Sequence, residues 1–257
     1  MDLKYFFLSL ASGSSGNCSY IGCREEGVLI DAGISLRRLR QCMAANAIPL
    51  HAVKAIIVSH EHGDHVRHLW RCRAALGVPV YIHAKALKGM SGLMPDHLET
   101  VTHIAPHKSF FVAGLEITPF PVPHDAACPM GFAVDTPVCR LAYASDLGEV
   151  SDVVRYYAQG ARLIHLEFNY DPQMLLTGPY PWYLKNRIKS RTGHLSNQAA
   201  ADFVHHLCQQ QLELLSIAHV SQKNNRLELA IKEATKHLPS TRVFETYHHQ
   251  YGQKIYV

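Results

Sequence analysis

Four side chains of types that bind metal ions lie within six residues of one loop. They are His60, His62, Asp64 and His65. The preceding apolar run, residues 55–58, predicts a short buried strand. Because His60 and His62 are two residues apart, their imidazoles point to the same side of an extended backbone. Gly63 then allows a tight turn, so that Asp64 and His65 can reach a second metal position. The loop therefore predicts two neighbouring metal ions, as two-metal hydrolases require; the alternative is a histidine-rich loop that binds none.

Three further residues of metal-binding type follow other predicted strands. They are His124, Asp146 and His219, each within two residues of the end of an apolar run. Strand ends are rigid supports, which a hydrolytic metal site needs. Asp31 also ends a predicted strand, and it either orients a metal-bound histidine or is a turn acid.

The elements that must position these residues alternate along the chain. Strands are predicted within 5–10, 17–31, 55–58, 78–82, 100–123, 131–134, 141–144, 163–166, 212–218, 242–246 and 254–257. Helices are predicted from the cap Ser35 to about residue 45, over 66–76 with a stop at Gly77, over 150–158, after the cap Ser196, and over 226–237. Segment 12–17 either binds phosphate through its backbone N–H groups or forms a tight turn. Strands with interspersed helices favour two sheets packed face to face with helices outside.

The order of the candidate ligands resembles the metallo-β-lactamase fold superfamily. The pattern is His-x-His-x-Asp-His, then a lone His, an Asp after a strand and a late His, and it extends over essentially the whole chain. The resemblance implies one domain, residues 1–257, of the α/β (α+β) class, folded as a four-layered αββα sandwich. It also implies metal ions at one edge of the two sheets.

The resemblance implies a set of ligands for two ions as well. One ion would be held by His60, His62 and His124, the other by Asp64, His65 and His219, and Asp146 would bridge them. The two ions would lower the pKa of a water between them, so that a bridging hydroxide is the nucleophile and Asp64 belongs to the catalytic set. Zn²⁺, Mn²⁺ or Fe²⁺ suits an imidazole-rich site without thiolates.

A later stretch narrows the resemblance to one group of nucleases. Residues 178–197, together with 166–169, 219–225 and 11–18, resemble the YycJ/WalJ group of 5′–3′ exonucleases. Within it, Gly193-His194-Leu195-Ser196 is similar to the Gly-His-Ser motif of tRNA 3′-processing endonucleases, whose histidine is catalytic without binding metal. The similarity implies that His194, paired with Glu167, stabilises the transition state or protonates the leaving oxygen. The alternatives for His194 are a metal ligand in place of His219, or a neighbour of a helix cap.

The segment before His194 carries a candidate nucleic-acid surface. Segment 169–193 is rich in Tyr, Pro, Lys and Arg and is predicted to be irregular. Its alternating cations are Lys185, Arg187, Lys189 and Arg191. On an extended backbone they would face one side and follow a phosphate backbone. Tyr180 and Trp182 lie nearby and would stack on unpaired bases; the alternative is a solvated surface loop.

Composition is consistent with a nuclease but does not require one. The chain has 257 residues, and its net charge of +4 is only mildly basic, which permits nucleic acid as a partner. Its seven cysteines are odd in number and include no Cys-x-x-Cys, so we expect reduced thiols in a cytoplasmic protein. No signal peptide or membrane-spanning run is predicted.

These observations predict a dinuclear metal-dependent phosphodiesterase, acting as a 5′–3′ exonuclease on DNA or RNA ends. One alternative is a small-molecule metallohydrolase, such as a cyclic-nucleotide phosphodiesterase or a thioesterase. The other alternative is a metal-dependent nucleic-acid binder without catalysis.

Overall fold

A computed structural model describes residues 4–90, 100–236, 242–245 and 252–257. In this part of the chain the first sheet contains seven strands: β1 (Phe6–Ala11), β2 (Cys18–Gly22), β3 (Gly27–Ile30), β4 (Val53–Ile57), β5 (Val80–Ile82), β6 (Val101–His103) and β14 (Ile255–Tyr256). Their order is β14-β1-β2-β3-β4-β5-β6. The pairs from β14 to β3 are antiparallel, whereas those from β3 to β6 are parallel.

The second sheet has the same plan. Its seven described strands are β7 (Phe110–Val112), β8 (Leu115–Pro121), β9 (Met130–Asp135), β10 (Arg140–Ala144), β11 (Ala161–Glu167), β12 (Leu214–Ala218) and β13 (Arg242–Glu245). They lie in chain order, with antiparallel pairs from β7 to β10 and parallel pairs from β10 to β13. Because parallel strands end at the same edge, the residues that follow β10, β11 and β12 meet there.

Helices cover the outer faces of both sheets. They are α1 (Leu36–Ala45), α2 (Gly63–Val66), α3 (Leu69–Leu76), α4 (Ala84–Gly89), α5 (Asp152–Ala158), α6 (Pro172–Thr177), α7 (Trp182–Ile188), α8 (Asn197–Cys208) and α9 (Leu227–Thr235). One apolar cluster joins the two sheets, and a further cluster lies between each sheet and its helices. The predicted αββα layering is therefore confirmed. No helix in the described ranges is both long and apolar enough to cross a bilayer.

Several predicted helix signals are confirmed by their hydrogen bonds. The Ser35 side chain caps α1 by accepting from the Arg38 backbone N–H, and Ser196 caps α8 in the same way through Ala199. Gly77 ends α3 with φ 69°, the left-handed conformation that glycine adopts at low cost.

The structure differs from the sequence prediction at two of these helices. The helix predicted over 66–76 is divided, because the backbone N–H of His68 bonds to Ala32 O instead of continuing the helix. Helix α4 was not predicted. The ends predicted for the last helix and for strand 242–246, His237 and Thr246, lie outside the described residues.

The prediction that segment 169–193 is irregular is wrong, because the segment contains α6 and α7. Asp171 caps α6 by accepting from the Met174 N–H at 2.9 Å, and Pro172 occupies the first turn. Pro181 precedes α7. Proline is well tolerated at a helix start, so the prolines of this segment mark two short helices rather than a loop.

Candidate metal centre

Three histidines bring their ring nitrogens together at the edge of the first sheet. His62 Nδ1 lies 3.1 Å from His60 Nε2 and 3.3 Å from His124 Nε2. A tetrahedral ion with Zn–N bonds of about 2.0–2.1 Å separates its ligand atoms by roughly 3.3 Å. The predicted first ligand group is therefore brought together in a suitable geometry, although the loop that carries His124 is more than sixty residues away in the sequence.

The remaining predicted ligands lie beside this group. His65 Nε2 is 3.1 Å from Asp146 Oδ2 and 3.5 Å from Asp64 Oδ2. His219 Nε2 is 3.8 Å from Asp64 Oδ2. The oxygen of Asp146 converges with the ring nitrogens of His60 and His65. Asp146 thus lies between the two halves of the predicted site.

His219 also lies close to residues outside its predicted ligand trio of Asp64, His65 and His219. The described residues group its ring nitrogen with Asp146, Glu167 and His194. His219 Nδ1 is 2.8 Å from Asp146 Oδ1 and 3.7 Å from Glu167 Oε2, and within the described chain this buried nitrogen forms no aligned hydrogen bond. A buried imidazole nitrogen and a carboxylate oxygen this close together are also placed to share a cation. The donor set of imidazoles and carboxylates therefore fits a divalent metal ion.

Buried hydrogen bonds orient the candidate ligands from behind. His65 Nδ1 lies 2.8 Å from Asp31 Oδ2, so Nε2 is the nitrogen that faces the centre. Asp31 also accepts from the backbone N–H of Ser59 at 2.8 Å. Of the two roles that the sequence left open for Asp31, this geometry favours orientation of a metal ligand.

His124 and His60 are held in the same manner. His124 Nδ1 donates to Gly193 O at 3.0 Å, and His60 Nδ1 lies 3.0 Å from Ser59 Oγ. In each ring the remaining Nε2 faces the centre. Gly193 therefore connects the His194 motif to the first ligand group, a contact that the sequence did not predict.

Backbone geometry at three site residues is unusual. Asp31, Asp146 and His219 have φ values of 63°, 56° and 49°, in the left-handed region that side chains with a Cβ rarely adopt. Each follows a strand of the parallel half of a sheet. Strain of this kind persists where the surrounding structure requires it, and it concentrates at functional sites.

The two halves of the centre differ in charge. Burial lowers the pKa of His60 and of His124, which keeps both rings neutral, as metal ligands must be. Burial also opposes protonation of His219, but Asp146 and Glu167 outweigh it and raise the pKa of His219 to about 10. The second half therefore has an excess of buried carboxylate charge, which a bound cation would neutralise in place of protons.

His194 and Glu167 form a pair beside the candidate ligands. His194 Nδ1 lies 2.9 Å from Glu167 Oε2 and 3.7 Å from Asp146 Oδ1. Burial opposes a charged imidazole, but the Glu167 carboxylate outweighs it and raises the pKa of His194. Glu167 Oε1 accepts from the Leu147 N–H. The pairing predicted from the sequence is therefore present, with His194 at the wall of the site cavity.

The segment 12–17 forms a turn that supports the centre. Asn17 Nδ2 donates to Asp64 Oδ2 at 3.1 Å and lies 2.9 Å from His65 Nε2. Ser12 Oγ accepts from the His219 backbone N–H at 2.8 Å. Sequence reasoning identified the loop but not these two side chains. The only sequence signal for Asn17 is a polar residue at the start of a predicted strand, between Gly16 and Cys18.

The four predicted cations do not share one face, because α7 holds Lys185 and Arg187 on a helix and ends before Lys189 and Arg191. Lys185 is buried and its Nζ donates to Leu176 O at 2.7 Å. Arg187 pairs with Asp125 at 2.6 Å, and Arg191 pairs with Glu149 at 2.7 Å. Lys189 lies over the ring of Trp182, with 4.9 Å from Nζ to the ring centre. The predicted extended track of positive charge is therefore wrong.

A cavity of about 340 Å³ opens onto the centre. Six of the predicted metal-binding and catalytic residues line it: His62, Asp64, His124, Asp146, His194 and His219. Of the predicted nucleic-acid contacts, Tyr180 and Arg187 line this cavity, whereas Trp182 lies on the outer surface and is 62% exposed.

Comparison with known proteins gives the same fold and a consistent family. A family model described as the beta-lactamase superfamily domain matches residues 27–215. Exodeoxyribonuclease YycJ of Bacillus anthracis is 35% identical over 227 residues, which cover 87% of this chain and 85% of the relative. Exodeoxyribonuclease WalJ of Streptococcus pneumoniae is 29% identical over 234 residues, 89% of this chain and 86% of the relative. The crystal structure of the metallo-β-lactamase fold protein YhfI from Bacillus subtilis has a TM-score of 0.76 and 15% identity, covering 99% of this chain and 100% of YhfI.

Proposed function

The chain belongs to the β-lactamase superfamily as a metal-dependent hydrolase, and from this premise we propose that it removes nucleotides from DNA ends. The observation that carries the proposal is the pair His194–Glu167, 2.9 Å apart, beside a convergent set of metal-type ligands. Two relatives aligned over most of their length bear the name exodeoxyribonuclease. A phosphodiester needs a nucleophile, charge neutralisation and a proton for its leaving oxygen, and the site offers a group for each.

The metal-binding residues would divide between two ions. His60, His62 and His124 would hold one, and Asp64, His65 and His219 the other, with Asp146 between them. Bound divalent ions would supply a water of lowered pKa and neutralise charge on the phosphate. The absence of a thiolate from this donor set favours Zn²⁺, Mn²⁺ or Fe²⁺.

His194 would act on the leaving oxygen. Because Nδ1 is directed at Glu167, the proton available to substrate is on Nε2. Glu167 favours the protonated imidazole, since its carboxylate outweighs burial and raises the pKa of His194. The imidazolium would stabilise negative charge in the transition state and transfer its proton from Nε2 as the P–O bond breaks.

Arg187 is the predicted cation best placed to contact substrate. It lines the cavity, and its ion pair with Asp125 holds the guanidinium next to His124. Guanidinium groups recognise phosphate through parallel N–H donors. Tyr180 borders the same cavity and offers a ring to a base, while Trp182 and Lys189 would contact the strand outside it. Lys185 binds Leu176 O and Arg191 binds Glu149, so these two cations would support the protein structure instead of contacting substrate.

A small-molecule phosphodiesterase is the second candidate. A cavity of about 340 Å³ would also hold a cyclic nucleotide, because small-molecule sites begin at about 300 Å³. DNA ends are preferred because the related exodeoxyribonucleases match over most of the chain.

End-labelled single- and double-stranded DNA tests the proposal. With Mn²⁺ or Zn²⁺ present, we expect stepwise release of mononucleotides from a 5′ end. Asp146→Asn removes one carboxylate from the centre and should abolish release, while Asp202→Asn, an exposed change on α8, should not. Turnover of a cyclic nucleotide without release from DNA would establish the second candidate instead.

We also infer that residues 1–257 form one domain and work in a reducing compartment. Support for one domain comes from the apolar cluster shared by the two sheets. Support for the compartment comes from Cys18, Cys42 and Cys72, which are buried thiols. Limited proteolysis tests the first inference, and the location of a tagged protein in the cell tests the second.

A further inference from the structure

The backbone of His219 is held on both sides by buried side chains. Its N–H donates to Ser12 Oγ at 2.8 Å, and its carbonyl accepts from Asn169 Nδ2 at 2.9 Å. In the described chain the hydrogen bonds that continue the β11–β12 pair end one residue earlier, where Phe168 N donates to Ala218 O at 2.9 Å. The Asn169 amide therefore binds the first carbonyl beyond the paired strands.

His219 needs this support because its backbone is strained. Its φ of 49° lies in the left-handed region, which residues with a Cβ adopt only at a cost in free energy. Such a conformation persists where the surrounding structure holds it. Loss of either hydrogen bond would let the backbone relax towards an ordinary conformation, and the imidazole would move with it.

Ser12 connects His219 to the other sheet. This buried serine follows β1 of the first sheet, whereas His219 follows β12 of the second. Asn17, in the same turn as Ser12, donates to Asp64 Oδ2 at 3.1 Å. The turn 12–17 therefore contacts both Asp64 and His219, two predicted ligands of one ion that follow strands of different sheets.

Asn169 connects His219 to His194. The Asn169 side chain holds the His219 carbonyl, while the Asn169 backbone N–H donates at 3.1 Å to the carbonyl of Leu195, the residue after His194. The Asn169 carbonyl accepts from Ser221 N at 2.9 Å, so the loop after His219 fixes Asn169 in turn. The rings of His194 and His219 lie 5.2 Å apart between their centres. One buried asparagine thus links the position of the proposed proton donor to that of a candidate metal ligand.

We propose that Ser12 and Asn169 are positioning residues, which hold His219 in the geometry that binds the ion shared with Asp64 and His65. Ser12 Oγ and Asn169 Nδ2 both bind the peptide backbone, so they act on the ion through His219. Loss of a partner that orients a metal ligand lowers metal affinity by about 10–100-fold. The inference rests on the metal centre of the proposed function.

Stepwise removal of Zn²⁺ from the loaded protein by a chelator of known affinity tests the proposal without turnover. His219→Ala identifies the binding step that depends on this histidine. We expect Asn169→Ala, which removes the amide donor, to weaken that step about 10–100-fold and to leave the step of the other ion unchanged. Ser12→Ala should weaken the same step. Loss of one ion only is a result that a general loss of stability would not produce.

Asn46→Ala is the matched control. Asn46 Nδ2 also donates to a backbone carbonyl, that of Cys42 at 3.0 Å, but at the C-terminal end of α1, and Asn46 does not line the site cavity. This variant should unfold at a lower temperature than the parent and keep both binding steps.

Three results would overturn the proposal. They are an unchanged His219-dependent step in Ser12→Ala and Asn169→Ala, an equal loss of that step in Asn46→Ala, and the absence of any binding step that His219→Ala removes. Ser12→Ala deletes a single oxygen atom, so it decides the question if Asn169→Ala fails to fold.

DNA hydrolysis measured in parallel separates the positioning roles from the function. If the parent protein degrades DNA ends while both variants bind Zn²⁺ as the parent does, the positioning roles are overturned and the proposed function stays intact. If the variants selectively lose the His219-dependent ion but the parent protein leaves DNA intact, the positioning roles stay and the proposed function is overturned.

Discussion

Asp31 Oδ2 lies 2.8 Å from His65 Nδ1, and both side chains are almost completely buried. The carboxylate fixes the ring so that His65 Nε2 points towards Asp146. Asp31 in turn accepts two hydrogen bonds from Ser59, the residue next to His60. One buried acid therefore connects both halves of the candidate centre without facing the cavity.

Asp31→Asn should weaken metal binding while the protein stays folded. The amide keeps the shape of the side chain but loses the charge that orients His65, and loss of such a partner lowers metal affinity by about 10–100-fold. Titration with Zn²⁺ against a competing chelator measures the change. Asp202→Asn is the matched control, and equal affinities in the two variants would show that Asp31 is a turn acid only.

Replacing Glu167 should shift the pH dependence of DNA cleavage. Glu167 outweighs burial and raises the pKa of His194, so the protonated form that donates to substrate persists to higher pH and is lost as pH rises through that pKa. Glu167→Gln removes the charge, which should move the alkaline limb of the profile of kcat/KM to lower pH. His194→Ala should remove the limb and slow cleavage by about 10²–10⁴-fold. An alkaline limb unchanged in Glu167→Gln would contradict the pairing.

Acid stability should depend on His165. This histidine lies between the sheets, stacked on Tyr143 and bonded to Ser216 Oγ at 2.8 Å, and burial lowers its pKa to about 3. The unfolded chain has an ordinary pKa near 6.5, so it binds the proton first. The contribution of His165 to the free energy of unfolding is therefore fully present above about pH 6.5. It is lost as the pH falls towards 3, and the total loss is on the order of 5 kcal/mol.

His165→Phe should flatten that dependence. Denaturant unfolding of the metal-free protein between pH 4 and 7 gives the slope, and the difference between variant and parent isolates His165 from the metal ligands. The Ser216 hydroxyl loses its partner, so we expect a lower stability at pH 7 as well. If the free energies of unfolding of the variant and the parent change equally with pH, His165 is not the group responsible.

The basic residues of segment 185–191 should separate into structural and surface groups. Lys185→Met leaves Leu176 O without its partner and should lower the free energy of unfolding by about 1–3 kcal/mol. Arg191 lies on the surface, 84% exposed in its pair with Glu149, so Arg191→Ala should not change stability measurably. Urea unfolding compares the two variants. A stable Lys185→Met variant with a destabilised Arg191→Ala variant would contradict the burial of Lys185 and the surface position of Arg191.

Much of the fold and of the ligand set could be predicted from sequence because both depend on local pattern. Apolar runs of strand length end at His60, Asp146 and His219, and parallel strands bring such ends to one edge. Caps at Ser35 and Ser196 are equally local, since each needs only a hydroxyl before a helix.

The parts that were not predicted depend on contacts between distant segments. Nothing near Asn17 in the sequence shows that its amide reaches Asp64, and the role of Gly193 O depends on a loop 69 residues away. The error at α6–α7 has a local origin. Alternating charges were interpreted with the period of a strand, although Asp171 and Pro172 signal the start of a helix.

Anomalous diffraction from crystals grown with Zn²⁺ or Mn²⁺ tests the central claim most directly. We predict two peaks, one among His60, His62 and His124 and one beside Asp64, His65 and His219, with Asp146 between them. Absence of both peaks from this cluster in protein that hydrolyses phosphodiesters, or peaks bound by other side chains, would contradict the account.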